Sequence, residues 1–312
     1  SAASDVYKRQ IPDLPLARFE VDRAAHLRAD KNWLENAWVS DDTRVLVLNE
    51  GNLPVTDDLS LIWVKPTTLE ISVDAVHDYA VLLGVQGQNT YIAIVDDFVS
   101  IDATAWVHLR AVGAQLNSHD VGLATTAIAM NAWHRTHKFC TRCGQKTVVT
   151  SGGWVRHCEA DNSEHYPRTE PAMIIAVNDE ADRVLLGRRH EWTEGWFSTL
   201  AGFVESGESA EACVLREVYE EAGVHVDPAS LKYLGSQPWP YPASLMLGYR
   251  AVATSTDIRI EDAEMADVRW FSREEFVTQC EAKTLQLPNR TTIAFHLIQD
   301  WFGSPIPDEW TR

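Results

Sequence analysis

The sequence lacks any long hydrophobic run. Its longest strictly apolar stretches, such as residues 172–177, fall far short of the ~18 residues that can span a bilayer, so no transmembrane helix is predicted. The N-terminus also lacks a basic patch followed by an apolar stretch, and no secretory signal is predicted. With 45% hydrophobic and 23% charged residues over 312 positions, the chain is expected to be globular and to form roughly two domains.

Positive charge is scarce. The 27 lysines and arginines stand against 45 aspartates and glutamates, which leaves a formal net charge of −18. Because an acidic surface repels phosphate backbones, broad electrostatic binding of DNA or RNA is not expected. A small anionic substrate remains compatible with this charge where metal ions neutralise its site.

Cysteines are few, and their number, five, is odd, which argues against a disulfide framework. Cys140 and Cys143 form a CxxC knuckle followed by glycine, and Cys158 follows in the same segment. Two thiolates at this spacing can face one tetrahedral Zn²⁺. We therefore predict a structural zinc ribbon over residues 137–167, with a ribbon that no longer binds metal as the alternative.

The fourth ligand of this ribbon is open. A second CxxC would place it at position 161, which is Asp161 and not a cysteine. His157 and His165 are nearby alternatives.

The order of strand and helix patterns predicts an α+β fold. Short β-branched runs between turn residues predict an antiparallel sheet with flanking helices in the first part of the chain, followed by a helix over residues 120–136. The expected divisions are a disordered or artefactual terminus (1–14), an N-terminal α/β domain (15–136), the ribbon (137–167), a further α+β domain (168–302) and a tail (303–312).

The most informative stretch is a glycine-rich loop after Gly202 that leads into a helix predicted over residues 209–221. Glu217, Glu220 and Glu221 stand at i, i+3 and i+4 and share one helix face. Adjacent carboxylates repel one another, and hard divalent cations shared with substrate phosphates remove that cost. The pattern predicts a metal-assisted phosphoryl or pyrophosphoryl site. The triplet alone would favour a solvated acidic face.

Residues 202–224 resemble a complete Nudix box, the signature of hydrolases that cleave a nucleoside diphosphate linked to another group. The resemblance implies that Glu217, Glu220 and Glu221 bind Mg²⁺ or Mn²⁺. It also implies that Glu221, or a water on its metal, activates the nucleophile. The residues that the resemblance assigns to bracing the box are Gly202, Glu208, Arg216 and Gly223.

A proline-rich stretch over residues 236–244, SQPWPYPAS, follows the box. Proline fixes φ and removes amide donors, so a rigid extended loop is predicted rather than a strand. Its aromatic rings could stack on a base, or the stretch could be a stiff connector. It resembles the SQPWP motif of the NudC-type NADH pyrophosphatases, which also share the ribbon and the domain order. The resemblance covers about residues 15–302, and the missing fourth cysteine departs from it.

This resemblance implies a Nudix α/β/α sandwich that hydrolyses the pyrophosphate of NAD(H) to nicotinamide mononucleotide and AMP. It extends to removal of NAD caps from RNA 5′ ends. Glu264 is implied as a further metal ligand, in what would otherwise be a solvated acidic loop. The implied substrate contacts are Phe203, Tyr166, Ser244, Ala294, Ile174 and Met246, with Gln237 and Trp239 from the proline-rich stretch. For Phe203, Tyr166 and Met246, the residues alone favour core packing.

The resemblance also implies a cytoplasmic homodimer in which both subunits contribute to each pocket. NADH or NAD⁺ would be the small-molecule substrate, with NAD-capped RNA as a further one, and no membrane partner is expected. Two alternatives stay open. One is a Nudix hydrolase of ADP-ribose or another dinucleotide, and the other is a non-catalytic dinucleotide sensor on the same scaffold.

Overall fold

The structure is a computed structural model, and it forms two compact units. It describes residues 11–30, 32–95, 99, 101–260 and 263–312. Residues 1–10, most of the terminus set aside above, lie outside the described residues. The N-terminal unit comprises residues 18–169 and 239–243, and the C-terminal unit comprises the segment up to residue 17 with residues 170–238 and 244–312.

A three-stranded sheet in the order β1-β4-β3 lies at the core of the N-terminal unit. The strands of this unit are β1 (Thr43–Val47), β2 (Leu53–Val55), β3 (Ala80–Gln86), β4 (Asn89–Ile94), β5 (Ala105–Val107), β6 (Val148–Thr150), β7 (Val155–His157) and β8 (Glu164–His165). Its helices are α1 (Trp33–Trp38), α2 (Val73–Val76), α3 (Leu109–Val112) and α4 (Ser118–Thr136). Helix α4 confirms the helix predicted over residues 120–136.

The prediction of a wholly antiparallel sheet in this unit is wrong. Strands β3 and β4 form an antiparallel hairpin, but β1 pairs with β4 in parallel. A parallel pair needs a long crossover, and the segment between β1 and β3 supplies it. The ribbon forms a separate small sheet in the order β6-β7-β8.

The C-terminal unit is built on a six-stranded sheet in the order β12-β13-β9-β10-β14, with β11 pairing with β9. Its strands are β9 (Glu170–Asn178), β10 (Val184–Arg189), β11 (Leu200–Phe203), β12 (Lys232–Trp239), β13 (Ser244–Val252) and β14 (Met265–Phe271). Its helices are α5 (Ala210–Ala222), α6 (Arg273–Glu281) and α7 (Ile293–Phe302). No helix in the described parts of either unit is long and apolar enough to cross a membrane.

Strand β9 shows how the layers of this unit pack. Successive strand residues point to opposite faces of a sheet. Met173 and Ile175 lie in one hydrophobic cluster with α5, whereas Ile174 and Ala176 lie in another with α7. Because both faces of β9 are covered by helices, the unit is an α/β/α sandwich. The predicted α+β fold is therefore confirmed.

Three segments differ from their predictions. Leu14, in the terminus expected to be disordered or artefactual, is buried in a core cluster with Ile174. The proline-rich stretch is predicted to be an extended loop, but as far as Trp239 it is part of strand β12. This strand lies at the outer edge of the sheet. Proline is tolerated at an edge, where its missing amide hydrogen breaks no ladder bond. Residues 303–312, expected to be a tail, place Ile306 and Trp310 in a core cluster with Phe276.

A buried hydrogen-bond network joins α4 to the ribbon within the N-terminal unit. His134 is 3% exposed, and its Nε2 lies 2.8 Å from the carbonyl oxygen of Gly153. Since a carbonyl only accepts, Nε2 is assigned the proton, and Nδ1 accepts from Nη1 of Arg156 at 2.9 Å. Arg156 also donates through Nε to Oγ1 of Thr147 at 2.8 Å. This network requires a neutral imidazole, and burial lowers the pKa of His134 to about 4.

We expect His134 to make the fold acid-sensitive. A histidine in the unfolded chain becomes protonated near pH 6.5, whereas His134 in the folded protein becomes protonated only near its pKa of about 4. Stability from this group is therefore present above pH 6.5 and is lost as pH falls toward 4, by up to about 3 kcal/mol. Urea unfolding of the wild type and of His134→Gln between pH 7.5 and 4.5 measures this loss. The wild type should lose more stability than the variant across the window, and parallel curves would contradict the prediction.

Candidate active site and metal centre

Helix α5 carries the box glutamates, and local sequence sets both of its ends. The side chain of Ser209 accepts a hydrogen bond from the amide of Ala212 and caps the first turn. Gly223, with φ of 68°, ends the helix in the left-handed conformation. The helix predicted over residues 209–221 is thus confirmed to within one residue at each end.

Arg216 binds three of the box carboxylates. It forms a fork with Glu208 through Nε and Nη2, each at 2.8 Å from a carboxylate oxygen. Its Nη1 lies 2.9 Å from both Glu217 Oε1 and Glu220 Oε2, and its Nη2 donates to the carbonyl of Phe203 at 3.0 Å. The loop is thereby tied to the helix. The guanidinium lowers the pKa of Glu208 to about 2, and Glu208 in turn raises the pKa of Arg216.

Glu217 lies against the backbone of β11. A Cβ atom at Gly202 would overlap the carboxylate of Glu217, so only glycine leaves room for this approach. Burial raises the pKa of Glu217, and the hydrogen bond from Arg216 opposes that effect. A partly buried carboxylate in this position gains from any further positive charge nearby.

A second arginine, Arg189 at the end of β10, contacts the remaining carboxylates. Its Nη2 lies 3.6 Å from Glu221 Oε1, and its Nη1 lies 3.1 Å from Glu264 Oε2. The side chain of Glu221 is only 3% exposed, whereas that of Glu264 is 63% exposed. Arg189 has no signal in the sequence, because its role depends on which strand pairs with β10.

The acidic side chains of the box are therefore divided between two arginines. The donor set is entirely carboxylate oxygen, and it includes the buried Glu221, which suits a hard divalent cation. The box glutamates and Glu264 do not converge on one point. Within the described residues, the only group whose ligand atoms all lie within 4.8 Å of one another is the ribbon group.

That ribbon group consists of Cys140, Cys143, Cys158 and Asp161. Cys143 Sγ lies 3.5 Å from Cys158 Sγ, and Cys140 Sγ lies 3.3 Å from Asp161 Oδ2. Three thiols and one carboxylate match the donors and the number that structural zinc takes.

Ser163 orients Asp161 within this group. Its amide and its hydroxyl donate to Asp161 Oδ1 at 3.0 Å and 2.5 Å. His165, an alternative fourth ligand, contacts Ser163 Oγ at 3.2 Å and lies outside the group, as does His157.

The positions that the resemblance implies as substrate contacts in the C-terminal unit form an apolar set and a polar set. Ile174, Met246 and Ala294 share one hydrophobic cluster between the sheet and α7. Ser244, at the start of β13, is buried. Gln237 is fully buried, and its Nε2 donates to the carbonyl of Thr291 at 2.9 Å. Its Oε1 is buried without a hydrogen-bond partner among the described residues.

Two aromatic positions contradict the core packing that their residue types alone favour. Phe203, at the end of β11, is 56% exposed. Tyr166, in the N-terminal unit, is 60% exposed, and its hydroxyl donates to Glu164. Met246, by contrast, packs against a core cluster as its residue type predicts.

Trp239 and Tyr241 of the proline-rich segment belong to the N-terminal unit and pack on its side chains. The guanidinium of Arg110 lies 4.1 Å from the Tyr241 ring centroid and 5.2 Å from that of Trp239. His108 stacks on Tyr241 with ring centroids 4.9 Å apart. Arg110 and His108 carry no signal in the sequence, because their partners lie far along the chain.

Comparisons with known proteins identify two matching domains. Residues 168–294 match the NUDIX domain, and residues 135–166 match the NADH pyrophosphatase zinc ribbon domain.

Curated relatives match over most of the chain. A protein of Mycobacterium bovis named NAD-capped RNA hydrolase NudC is 35% identical, over 94% of this chain and 96% of its own length. Its namesake from Pseudomonas syringae is 38% identical, over 71% of this chain and 77% of its own length. The NAD-capped RNA hydrolase NUDT12 of Macaca fascicularis is 40% identical, over 60% of this chain and 43% of its own length.

We expect Gly202→Ala to destabilise the C-terminal unit by about 1 kcal/mol, because the added methyl group overlaps the terminal atoms of Glu217, which can move only by weakening their contact with Arg216. Chemical denaturation measures this cost. In a Glu217→Ala background the same substitution should cost less, since the clashing carboxylate is gone. An equal cost in both backgrounds would show that Glu217 does not require the glycine.

Proposed function

The chain belongs to the Nudix superfamily and, within it, to the NudC-type NADH pyrophosphatases; on that premise we propose that it hydrolyses the pyrophosphate bond of NAD(H). The products are nicotinamide mononucleotide and AMP. Removal of NAD caps from RNA 5′ ends is part of the proposal. Its main support is the near full-length match to a NAD-capped RNA hydrolase in a chain that retains every box glutamate.

Glu217, Glu220, Glu221 and Glu264 are the proposed ligands of Mg²⁺ or Mn²⁺. When bound, such cations polarise a diphosphate and lower the pKa of a coordinated water. Glu221 is proposed to accept the proton of the attacking water at a carboxylate oxygen. Its burial at the C-terminal end of α5 restricts its rotamers and shields it from bulk water.

Arg216 is proposed to position the metal ligands without contacting the substrate. By binding Glu208, Glu217 and Glu220 together, it holds the loop and the helix in one arrangement. A fixed ligand geometry reduces the reorganisation that binding would otherwise require.

Substrate contacts are proposed from the resemblance and from exposure. Phe203 offers an exposed ring that can stack on a nicotinamide or purine. Ser244 and the backbone of Ala294 are proposed as polar contacts, and Ile174 and Met246 as apolar lining. Further proposed contacts are Tyr166, Gln237 and Trp239.

The ribbon is proposed to bind one structural Zn²⁺ through Cys140, Cys143, Cys158 and Asp161. Structural sites of this kind supply folding energy to short, loop-rich segments. The match to a zinc ribbon domain and the convergence of four donors support this assignment.

Two further parts of the proposal concern the setting of the enzyme. A homodimer is proposed, because the resemblance to the NudC-type family implies one. A cytoplasmic location is proposed because the five cysteines form no disulfide and three of them lie in the proposed zinc group, the pattern expected in a reducing compartment.

We expect Asp161→Ala to weaken zinc binding by about tenfold or more, since one of four donors is lost. Zinc content after purification and the rate of release to a colorimetric chelator measure the effect. Glu159→Ala is the matched control, because Glu159 is exposed and lies outside the ligand group. Asp161→Cys should retain zinc. Unchanged zinc release in Asp161→Ala would remove Asp161 from the proposed ligand set.

Substituting Glu221→Gln should reduce kcat for NADH by about 10²-fold or more, the range typical of a lost general base. Chromatography of products from NADH, NAD⁺, ADP-ribose and NAD-capped RNA, with Mg²⁺, Mn²⁺ or chelator, tests the activity and its substrate. Glu211→Gln is the control on the same helix, since Glu211 is an exposed first-turn residue.

The outcomes of this assay distinguish NAD(H) hydrolysis from hydrolysis of another substrate and from a non-catalytic sensor. Metal-dependent release of AMP from NADH supports the proposed activity. Cleavage of ADP-ribose alone would retain the Nudix chemistry and overturn the substrate. Dinucleotide binding without any product would favour the sensor, and near-wild-type turnover in Glu221→Gln would overturn the role of Glu221.

A further inference from the structure

Two arginines neutralise the carboxylates around α5, and only Arg216 belongs to the box. Arg216 binds Glu208, Glu217 and Glu220. Arg189 binds the other pair, Glu221 and Glu264, which come from different elements of the C-terminal unit. The motif assigns no role to Arg189.

A β-bulge places Arg189 in this position. Strands β10 and β14 pair in antiparallel register, and the register shifts between Arg188 and Arg189. Bulges of this kind redirect a side chain and are common next to active sites. Arg189 then pairs with Met265, so it lies next to Glu264, the preceding residue.

The contact with Glu221 is the more consequential of the two. The side chain of Glu221 is 3% exposed, and a carboxylate so buried is costly unless a positive group lies nearby. Arg189 Nη2 lies 3.6 Å from Glu221 Oε1 and also donates to the carbonyl of Ala201 at 3.3 Å. The hydrogen bond to β11 restrains the guanidinium beside the buried carboxylate.

We propose that Arg189 is a positioning residue that holds Glu221 and Glu264 together and competes with the divalent cation for them. This inference rests on the proposed function, in which both glutamates bind that cation. A carboxylate oxygen that is paired with a guanidinium would have to give up that contact to bind a cation. The like charges of the guanidinium and the cation also repel at short range. Arg189 therefore has to leave these carboxylates when the cation binds.

Arg189→Gln should bind Mn²⁺ more tightly than the wild type, with a Kd lower by about tenfold. The same variant should have a lower Tm without added Mn²⁺, because Glu221 loses its positive partner, and a larger increase in Tm when Mn²⁺ is added. Electron paramagnetic resonance of free Mn²⁺, on zinc-loaded protein, gives the Kd, and thermal unfolding gives the Tm.

Arg188→Gln is the matched control. Arg188 is the preceding residue of β10, and its guanidinium donates to the carbonyl of Trp192 at 3.4 Å. The control loses the same formal charge without touching the glutamates, so its Kd for Mn²⁺ should stay near that of the wild type. Arg189→Lys keeps the charge but not the two Nη groups that reach separate carboxylates, and an increase in affinity of a few-fold is expected. If Arg189→Gln does not fold, the Mn²⁺ affinity of Arg189→Lys is compared with that of the wild type instead.

The outcomes distinguish this inference from the proposed function. One outcome would overturn this inference and leave the proposed function standing. In it, Glu221→Gln weakens Mn²⁺ binding, but Arg189→Gln and Arg189→Lys bind Mn²⁺ no more tightly than the wild type does. Equal tightening in Arg188→Gln and Arg189→Gln would also overturn it, because lost charge would then explain the effect. A wild-type protein that binds no Mn²⁺ at these glutamates would overturn both.

Discussion

The arrangement of the C-terminal unit around α5 depends on offsetting the repulsion between neighbouring carboxylates. Five glutamates meet around one short helix, three held by Arg216 and two by Arg189. Without these two guanidinium groups the arrangement would favour an unfolded or rearranged loop, because like charges at i, i+3 and i+4 destabilise a helix. The same concentration of charge is what a pyrophosphatase needs, since a diphosphate arrives together with cations.

The surrounding backbone makes this concentration of charge possible. Gly202 lets Glu217 approach β11 closely, and the left-handed Gly223 stops the helix directly after the glutamates. On the other side of α5, Val214 and Val218 pack on the sheet, and this apolar contact offsets the cost of the acidic face. The carboxylates are therefore positioned by packing and by arginine contacts before any ligand binds.

Much of this could be predicted from the sequence, because the signals are local. The helix and the face that Glu217, Glu220 and Glu221 share both follow from one short stretch. Features that depend on distant partners could not be predicted. Arg189 acquires its role from a bulge against β14, and the parallel pairing of β1 depends on a long crossover. The exposure of Phe203 likewise depends on where β11 ends, which composition does not reveal.

The proline-rich strand has a further effect on how the molecule behaves in a crowded cell. Among the described residues β12 is the outermost strand of its sheet, with the amide of Ile11 donating to the carbonyl of Leu234, and an uncovered part of such a strand can recruit the strands of other chains. Pro238 lies near the end of β12 and offers no amide hydrogen to an incoming strand. The residue that marks the family motif thus also interrupts a surface on which intermolecular β-aggregation could begin.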